Sequence, residues 1–322
     1  MGGKAEINVT IQHLEAGALI KYKYIYTAGR RPATVLLDCS VTGRITKTER
    51  DDLMLEEMLS RKKKELFRKG LSEEQKLDLF REIVGTSSNI VFLGGAGVST
   101  ESGIPDFRSK DGLYRKTDRK FSRYRPEYLL SDQCLHRETE VFFDYFRKKL
   151  DVRNVQPNAA HRILARMEKD GKLCGVITQN IDGLHQKAGS KNVQEIHGSA
   201  LRSYCVSCLK QYGPDFIFES RDAVPKCPVC GKMVRPDVTL YGELLPEPAY
   251  ENAVSMIRYA DCLIIGGTSL EVGSAAGLAH SYHGKHLVII NKGKTKMEGK
   301  ADLVFHDSIG RILEEAFHLD DG

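Results

Sequence analysis

Hydrophobic residues change their spacing along this chain, and each change marks a different kind of element. Near the start Ile7, Val9 and Ile11 alternate with polar residues, as do Ile20, Tyr22, Tyr24 and Tyr26, and then Val35, Leu37, Cys39 and Val41. Alternation belongs to half-buried strands, so three such runs with Gly-containing breaks predict a small antiparallel meander within residues 1–48. From Glu49 the period lengthens. Leu55, Met58, Leu59, Leu66 and Phe67 fall on one helical face, predicting a helical linker over 49–70. Gly70 breaks it, and Ser72-Glu-Glu-Gln75 has the capping-box spacing of a fresh helix. Beyond that point the apolar residues gather into short unbroken runs: Ile90–Leu93, Leu173–Thr178, one that opens Asp261–Leu270 ahead of its glycines and hydroxyls, Leu287–Ile290 and Ala301–Phe305. Strands buried on both faces read this way. Helical stretches intervene, among them Glu138–Arg147 and one opening at Pro157-Asn-Ala-Ala-His161. The fold class is therefore α/β, a doubly wound parallel sheet of the Rossmann-like kind. Ligands in that architecture bind outside the C-terminal strand ends.

Composition narrows the class. At 322 residues, 41% hydrophobic and 28% charged, the chain suits a soluble globular protein with one large core and a smaller second module. No apolar run reaches the length of a membrane span, and Met-Gly-Gly-Lys-Ala-Glu has no signal-peptide core, so a cytoplasmic protein without a membrane partner is expected. The net charge of +5 is mild, and runs such as Arg61-Lys-Lys-Lys64 suit a solvated face, so nucleic-acid binding is not expected.

Two constellations carry chemistry. After the strand-like run Ile90–Leu93, Gly95 and Gly97 flank Ala96 and permit a tight turn with close approach of a ligand. Ser99 and Thr100 can cap a following helix whose free N–H groups would attract phosphate. Asp106, Phe107 and Arg108 then add a carboxylate, a ring and a guanidinium, suited to folding over a charged, partly aromatic ligand. The second constellation is Cys205-x-x-Cys208 and Cys227-x-x-Cys230, separated by positions 209 to 226. Paired knuckles at that distance are the pattern of a four-thiolate zinc site. With four cysteines no position is left for water, so the metal is expected to be structural, in a small ribbon inserted between strands of the main sheet.

These residues also carry a family signature. Gly95-Ala-Gly-Val-Ser-Thr-Glu-Ser-Gly-Ile-Pro-Asp-Phe-Arg108, Thr178-Gln-Asn-Ile-Asp-Gly-Leu-His185, Glu195-Ile-His-Gly198, the cysteine pairs and Gly267-Thr-Ser-Leu270 follow one another as in the sirtuins. The chain resembles that family, the NAD-dependent protein lysine deacylases, from about Leu77 to Leu313. The resemblance implies a catalytic domain over 71–318: Rossmann-like segments 71–113, 155–198 and 236–318, a helical module 114–154 and a zinc ribbon 199–235. It implies NAD as co-substrate, one structural zinc ion, acetyl-lysine proteins or peptides as partners, and His197 and Asn180 as catalytic residues. His197 would be the base that accepts the ribose hydroxyl proton. The pyrophosphate would rest on Gly95, Ala96 and Gly97, Arg108 would help neutralise the phosphates, Phe107 would cover the nicotinamide pocket, and Ser99, Thr100 and Asp106 would also bind the cofactor. Gln179, Asn180 and Ile181 would lie near the nicotinamide ribose, and Asp182 would hold the carboxamide. Gly267, Thr268, Ser269, Asn291, Lys292 and Ile309 would take the adenosine half. Val238, Tyr241, Gly242 and Glu243 would flank a peptide bound as an added strand.

The resemblance leaves some questions open. Tyr241 stands where the family usually has Phe, and Gly273-Ser-Ala-Ala lacks a Pro common there. Family members preferring acidic acyl groups carry Tyr-x-x-Arg, whereas Tyr145 here lies only two residues before Arg147, so acetyl is the expected acyl group. A mono-ADP-ribosyltransferase on the same fold remains the alternative. A non-catalytic NAD-binding scaffold would have no need of His197, Asn180 and Asp182 together. An ordinary dehydrogenase would place an acidic residue at a strand end beyond the glycines; Asp118 has the spacing but lies in the basic run Lys116-Thr-Asp-Arg-Lys120.

Overall fold

The computed structural model describes residues 5–14, 17–28, 31–40, 70–106, 112–113 and 119–317, the first three segments by their backbone. The expected 49–70 helical linker, Phe107, Arg108 and most of the Lys116–Lys120 run fall outside these residues. Two compact units divide the chain, residues 1–62 and 63–322.

In the first unit, β1 (Ala5–Leu14), β2 (Gly17–Ala28) and β3 (Arg31–Ser40) form an antiparallel sheet in chain order. Its register sets Ile7 opposite Tyr24 and Tyr24 opposite Val35, with Val9–Tyr22–Leu37 and Ile11–Ile20–Cys39 in the next rows. The alternation therefore runs across the strands as well as along them. A one-residue slip would scatter these residues over both faces.

In the second unit, α1 (Glu73–Thr86) starts where its capping box predicts: Gln75 N–H donates to Ser72 Oγ, and Ser72 N–H donates to Gln75 Oε1. Next come β4 (Ile90–Gly94), the short α2 (Pro126–Leu129), α3 (Asp132–Arg137) and α4 (Thr139–Lys149). Then follow α5 (Ala159–Lys169), β5 (Leu173–Thr178), α6 (Leu184–Ala188) and β6 (Val193–Glu195). Asn158 rather than Pro157 caps α5, accepting from His161 N–H. The strand β6 holds a single apolar residue and so leaves no run in the sequence.

The chain then leaves the main sheet for β7 (Gly198–Cys205), β8 (Gln211–Tyr212), α7 (Asp215–Phe218) and β9 (Val234–Val238). It returns through α8 (Glu247–Tyr259), β10 (Cys262–Gly266), α9 (Gly273–His280), β11 (His286–Ile290), β12 (Leu303–Phe305) and α10 (Ile309–Phe317). The main sheet is parallel throughout, in the order β12-β11-β10-β4-β5-β6, as the unbroken apolar runs require.

Helices cover both faces. On one, Phe80, Ile163, Leu164, Ile312 and Leu313 pack on Phe92, Ile264 and Val288; on the other, Ala253, Ile257 and Leu278 pack on Val91, Leu263 and Ile265. A third core joins α4 to the inserted ribbon: Phe142, Phe143 and Phe146 share it with Ile217, Cys205, Cys227, Val234 and Val238. The core residues named here are almost all fully buried, each large apolar side chain contributing about 1.5–3 kcal/mol by removal from water.

Candidate active site

Strand order fixes where a ligand can sit. From β4 the chain steps outward to β5 and β6 on one side, and from β10 to β11 and β12 on the other. The carboxyl ends of β4 and β10 therefore form the switch point, where the loops diverge and open a crevice. The two glycine loops meet there: Gly95 N–H donates to Gly266 C=O at 3.2 Å and Gly97 N–H to Gly267 C=O at 2.8 Å. A Cβ on Gly95 would lie 2.7 Å from Thr268 Cβ, and one on Gly97 would lie 2.7 Å from Gly267 Cα. Any side chain would part the loops. Gly267 adopts φ +60°, and Leu270 is held left-handed at φ +57°. For a non-glycine residue that conformation is costly, and such strain gathers at functional sites.

The segment after Gly95 is not the capped helix the sequence suggests. It forms two 3₁₀ turns, Ala96–Val98 and Thr100–Ser102, with no side-chain cap on either. Ser99 and Thr100 are used otherwise. Thr100 Oγ1 donates to Gly97 C=O at 2.9 Å, tightening the turn. Ser99, 1% exposed, donates from Oγ to Asp182 Oδ2 at 2.7 Å and accepts from Asn180 Nδ2 at 3.0 Å. Leu184 N–H completes the carboxylate at 2.9 Å, at the start of α6. Burial raises the Asp182 pKa above its ordinary value, against the lowering effect of the Leu184 N–H and Ser99 hydroxyl. A carboxylate kept buried with an ordered set of donors is positioned to bind an amide.

His197 lies between β6 and β7. Its Nδ1 is 2.9 Å from Gln179 C=O, an acceptor only, so Nδ1 carries the proton and Nε2 keeps its lone pair. Burial lowers its pKa below 6.5, opposed by that carbonyl, which leaves the ring neutral and Nε2 able to accept a proton. Ser274 Oγ stands 3.4 Å from Nε2, at the start of α9. Gln179 bridges the loops, its Nε2 donating to Thr268 Oγ1 at 2.9 Å and Gly94 C=O at 3.3 Å. The ends of β4, β5 and β10 thus converge on one cleft.

The expected adenosine residues continue along the strand ends. Asn291 N–H donates to Phe305 C=O, Asn291 Nδ2 donates to Gly293 C=O, and Lys292 is exposed. Ser269 is half-buried between Thr268 and Leu270. Ile309 differs from these, because its side chain is in the core, within reach of any Cβ on Gly266. Asp106 is half-buried, and its C=O accepts from Leu113 N–H at 2.7 Å. Sequence reasoning did not single out Ser274, nor Asn158, whose Nδ2 ties Val98 C=O to the start of α5 at 2.7 Å. The cap position of Asn158 was the signal for the latter.

Arg147 and Tyr145 bear on the acyl group. Tyr145 is buried edge-on against Phe121. The Arg147 guanidinium donates to the carbonyls of Ile217 and Asp222 at 2.8 Å and of Ala223 at 3.3 Å. Neither side chain is turned to a carboxylate ligand.

Cys205, Cys208, Cys227 and Cys230 bring their sulfur atoms within 4.8 Å of one another, with Cys205–Cys230 at 3.4 Å and Cys208–Cys227 at 3.6 Å. A tetrahedron of thiolates at about 2.3 Å from zinc has edges of roughly 3.8 Å, so the donor set fits the ion. The two knuckles match: Leu209 N–H returns to Cys205 C=O and Gly231 N–H to Cys227 C=O, and both closing residues are left-handed. Tyr212 Oη lies 3.0 Å from Cys227 Sγ. Burial pushes the Cys227 thiol up, but the Tyr212 hydroxyl and nearby backbone N–H groups outweigh it and bring it down to about 6. Among the described residues, no helix is long and apolar enough to cross a membrane.

Known proteins share this arrangement. The Sir2 family model matches residues 95–274. An NAD-dependent protein deacetylase of Clostridium acetobutylicum is 52% identical over 239 residues, covering 74% of this chain and 97% of the relative. One from Clostridium perfringens is 53% identical over 241 residues, covering 74% and 98%. Among solved structures, Sir2 with p53 peptide and NAD+ superposes with a TM-score of 0.66 at 34% identity, over 74% of this chain and 96% of that one. A Sir2 variant with deacetylated p53 peptide and 3′-O-acetyl-ADP-ribose gives 0.68 at 35% identity, over 75% and 98%. With this identity extending over nearly the full length of its relatives, the chain belongs to the Sir2 family.

Proposed function

We infer that the protein is an NAD-dependent protein lysine deacetylase, transferring the acetyl group of acetyl-lysine to ADP-ribose with release of nicotinamide. The observation that carries this reading is the buried Ser99–Asp182–Asn180 set beside a neutral His197, all at the switch point. NAD supplies the ribose carbon that takes up the acetyl oxygen and the hydroxyl that completes the transfer. Asp182, fixed by Ser99 and Leu184, orients the carboxamide end, and Asn180 and Gln179 line the adjoining ribose. His197 Nε2 takes the ribose hydroxyl proton, its opposite face held by Gln179 C=O. The glycine loops carry the pyrophosphate, and Ser269, Asn291 and Lys292 take the adenosine. Relatives named as NAD-dependent deacetylases, and a Sir2 structure with acetylated peptide, support the same reading.

The substrate is bound as an added strand beside β9, which pairs only with β7 among the described strands. Val238, Tyr241, Gly242 and Glu243 flank it. One structural zinc ion is held by the four cysteines, and free thiolates of this kind suit a reducing, cytoplasmic location. The test is incubation with NAD and an acetylated peptide, with products identified by mass spectrometry. Nicotinamide, free lysine and O-acetyl-ADP-ribose in equal amounts are expected. ADP-ribose attached to protein, without deacetylation, would favour the transferase alternative instead.

A further inference from the structure

The turn that follows β9 is closed on a buried ion pair. Arg235, 7% exposed, sits within β9 and pairs through Nη1 with Glu243 Oε1, while its Nη2 reaches Glu243 Oε2 at 3.0 Å. The same Nη2 donates to Val238 C=O at 2.9 Å, and Nε to Pro236 C=O at 3.3 Å. Glu243 answers from the other side: its Oε2 accepts from Leu240 N–H at 2.8 Å, and its own N–H donates to Leu240 C=O at 3.0 Å. One guanidinium and one carboxylate thus fix both ends of the turn. Only a planar fork can hold the carboxylate and a carbonyl at once.

The turn is also tied at both sides. Thr239 N–H donates to His197 C=O at 2.9 Å, and Tyr241 exchanges bonds with Leu130 C=O and Asp132 N–H. Gly198, next to His197, lies so near β9 that a Cβ would stand 2.2 Å from Asp237 C=O. After this use, Thr239 C=O and both backbone groups of Gly242 are the ones between 239 and 242 with no partner among the described residues. A buried ion pair is weak support for stability, because desolvation offsets its attraction. Its effect here is geometric.

We propose that Arg235 is a positioning residue for the acetyl-lysine peptide, acting through Glu243 to present the free backbone groups of the 239–242 turn to the incoming strand. This rests on the deacetylase reading above. The pair also passes the position of that strand to His197 through Thr239, so peptide binding and the base are aligned by one device. The hydrogen bonds of the Arg235 guanidinium run to Glu243 and to the carbonyls of Pro236 and Val238.

The experiment uses the zinc-loaded full chain and an acetyl-lysine peptide. Arg235→Lys keeps the charge and loses the fork, Glu243→Gln loses the pair, and Arg235→Glu/Glu243→Arg reverses it. Peptide affinity is read by fluorescence anisotropy and by KM, and each variant's Tm and NAD KM are measured alongside. Arg235→Lys is expected to weaken peptide binding and raise peptide KM at least tenfold, with NAD KM within twofold and Tm within a few degrees. The reversed pair should recover part of the loss relative to Arg235→Glu alone. Equal peptide affinity in wild type and Arg235→Lys would overturn the proposal, as would peptide and NAD KM rising together. If Arg235→Lys failed to fold, Glu243→Gln would decide by the same criteria. Wild-type protein that bound the peptide without deacetylating it would overturn the functional reading alone.

Discussion

Acidification should weaken the fold beneath the active site, and the histidines at fault can be named. His161 on α5 and His185 on α6 are 0% and 1% exposed, with ring centroids 4.7 Å apart. His161 Nδ1 faces Asn158 Oδ1, but its Nε2 and both nitrogens of His185 have no partner among the described residues. Charging either ring would place a cation in a site unable to solvate it. Burial, with Arg162 adding to it, lowers the His161 pKa from 6.5 to about 4, and burial drives His185 well below 6.5. Between those values the unfolded chain binds protons that the folded chain refuses. The stabilisation is complete above 6.5 and is lost as pH falls toward 4. The full span is worth about 3 kcal/mol for His161, of which about 2 kcal/mol is lost by pH 5. His185 acts in the same direction.

Urea unfolding of wild type and His161→Gln at pH 7.5 and pH 5 measures the effect. The variant forfeits packing at both values but lacks the titration, so its deficit relative to wild type should shrink by about 2 kcal/mol at pH 5. Zinc thiolates and carboxylates titrate in both proteins and cancel in the comparison. Parallel stability curves would refute the reasoning.

Cys227→Ala should release zinc, seen as loss of the metal by elemental analysis, and lower Tm sharply because metal binding and local folding are coupled; full zinc in a well-folded variant would contradict the site. His197→Ala should cut deacetylation by roughly a hundred- to ten-thousand-fold while labelled nicotinamide still exchanges into NAD, whereas Asp182→Asn should depress both. Loss of exchange in His197→Ala with NAD binding intact would remove the base assignment. Acetyl-lysine should be processed faster than succinyl-lysine on matched peptides, since Arg147 is committed to three carbonyls; a succinyl preference would mean another cation reaches the acyl group.

The parallel sheet was legible because its strands are buried on both faces and write themselves as unbroken apolar runs. The meander was legible from its alternation, and the start of α1 from Ser72 and Gln75. The zinc ligands and glycine cradle were legible because each depends on residue type at fixed spacing. Ser99 shows the limit. Its place after the glycines suggested a helix cap, yet its hydroxyl turns to Asp182, a residue on another strand end. Nothing local distinguishes the two uses. Arg235 with Glu243, Arg147 with the 217–223 carbonyls, and Ser274 with His197 are likewise contacts made only after the chain folds. β6 was missed because Val193-Gln-Glu195 holds a single apolar residue and is only half-buried, whereas the equally short β12 is apolar throughout.

The aromatic core under α4 has a mechanical consequence. Phe142, Phe143 and Phe146 are packed into the same interior as Cys205, Cys227 and Val234, and Arg147 latches the 217–223 loop from outside. The three helices α2, α3 and α4 and the metal ribbon therefore share one packed interior. A close-packed interior has low compressibility and transmits strain, so a displacement on one side of this lobe is passed to the other. Since β7 begins at the residue after His197, any displacement of the lobe would reach that histidine directly. The ribbon and the cleft would then be mechanically geared together, and a metal ion held by the four cysteines would set the stiffness of the gear.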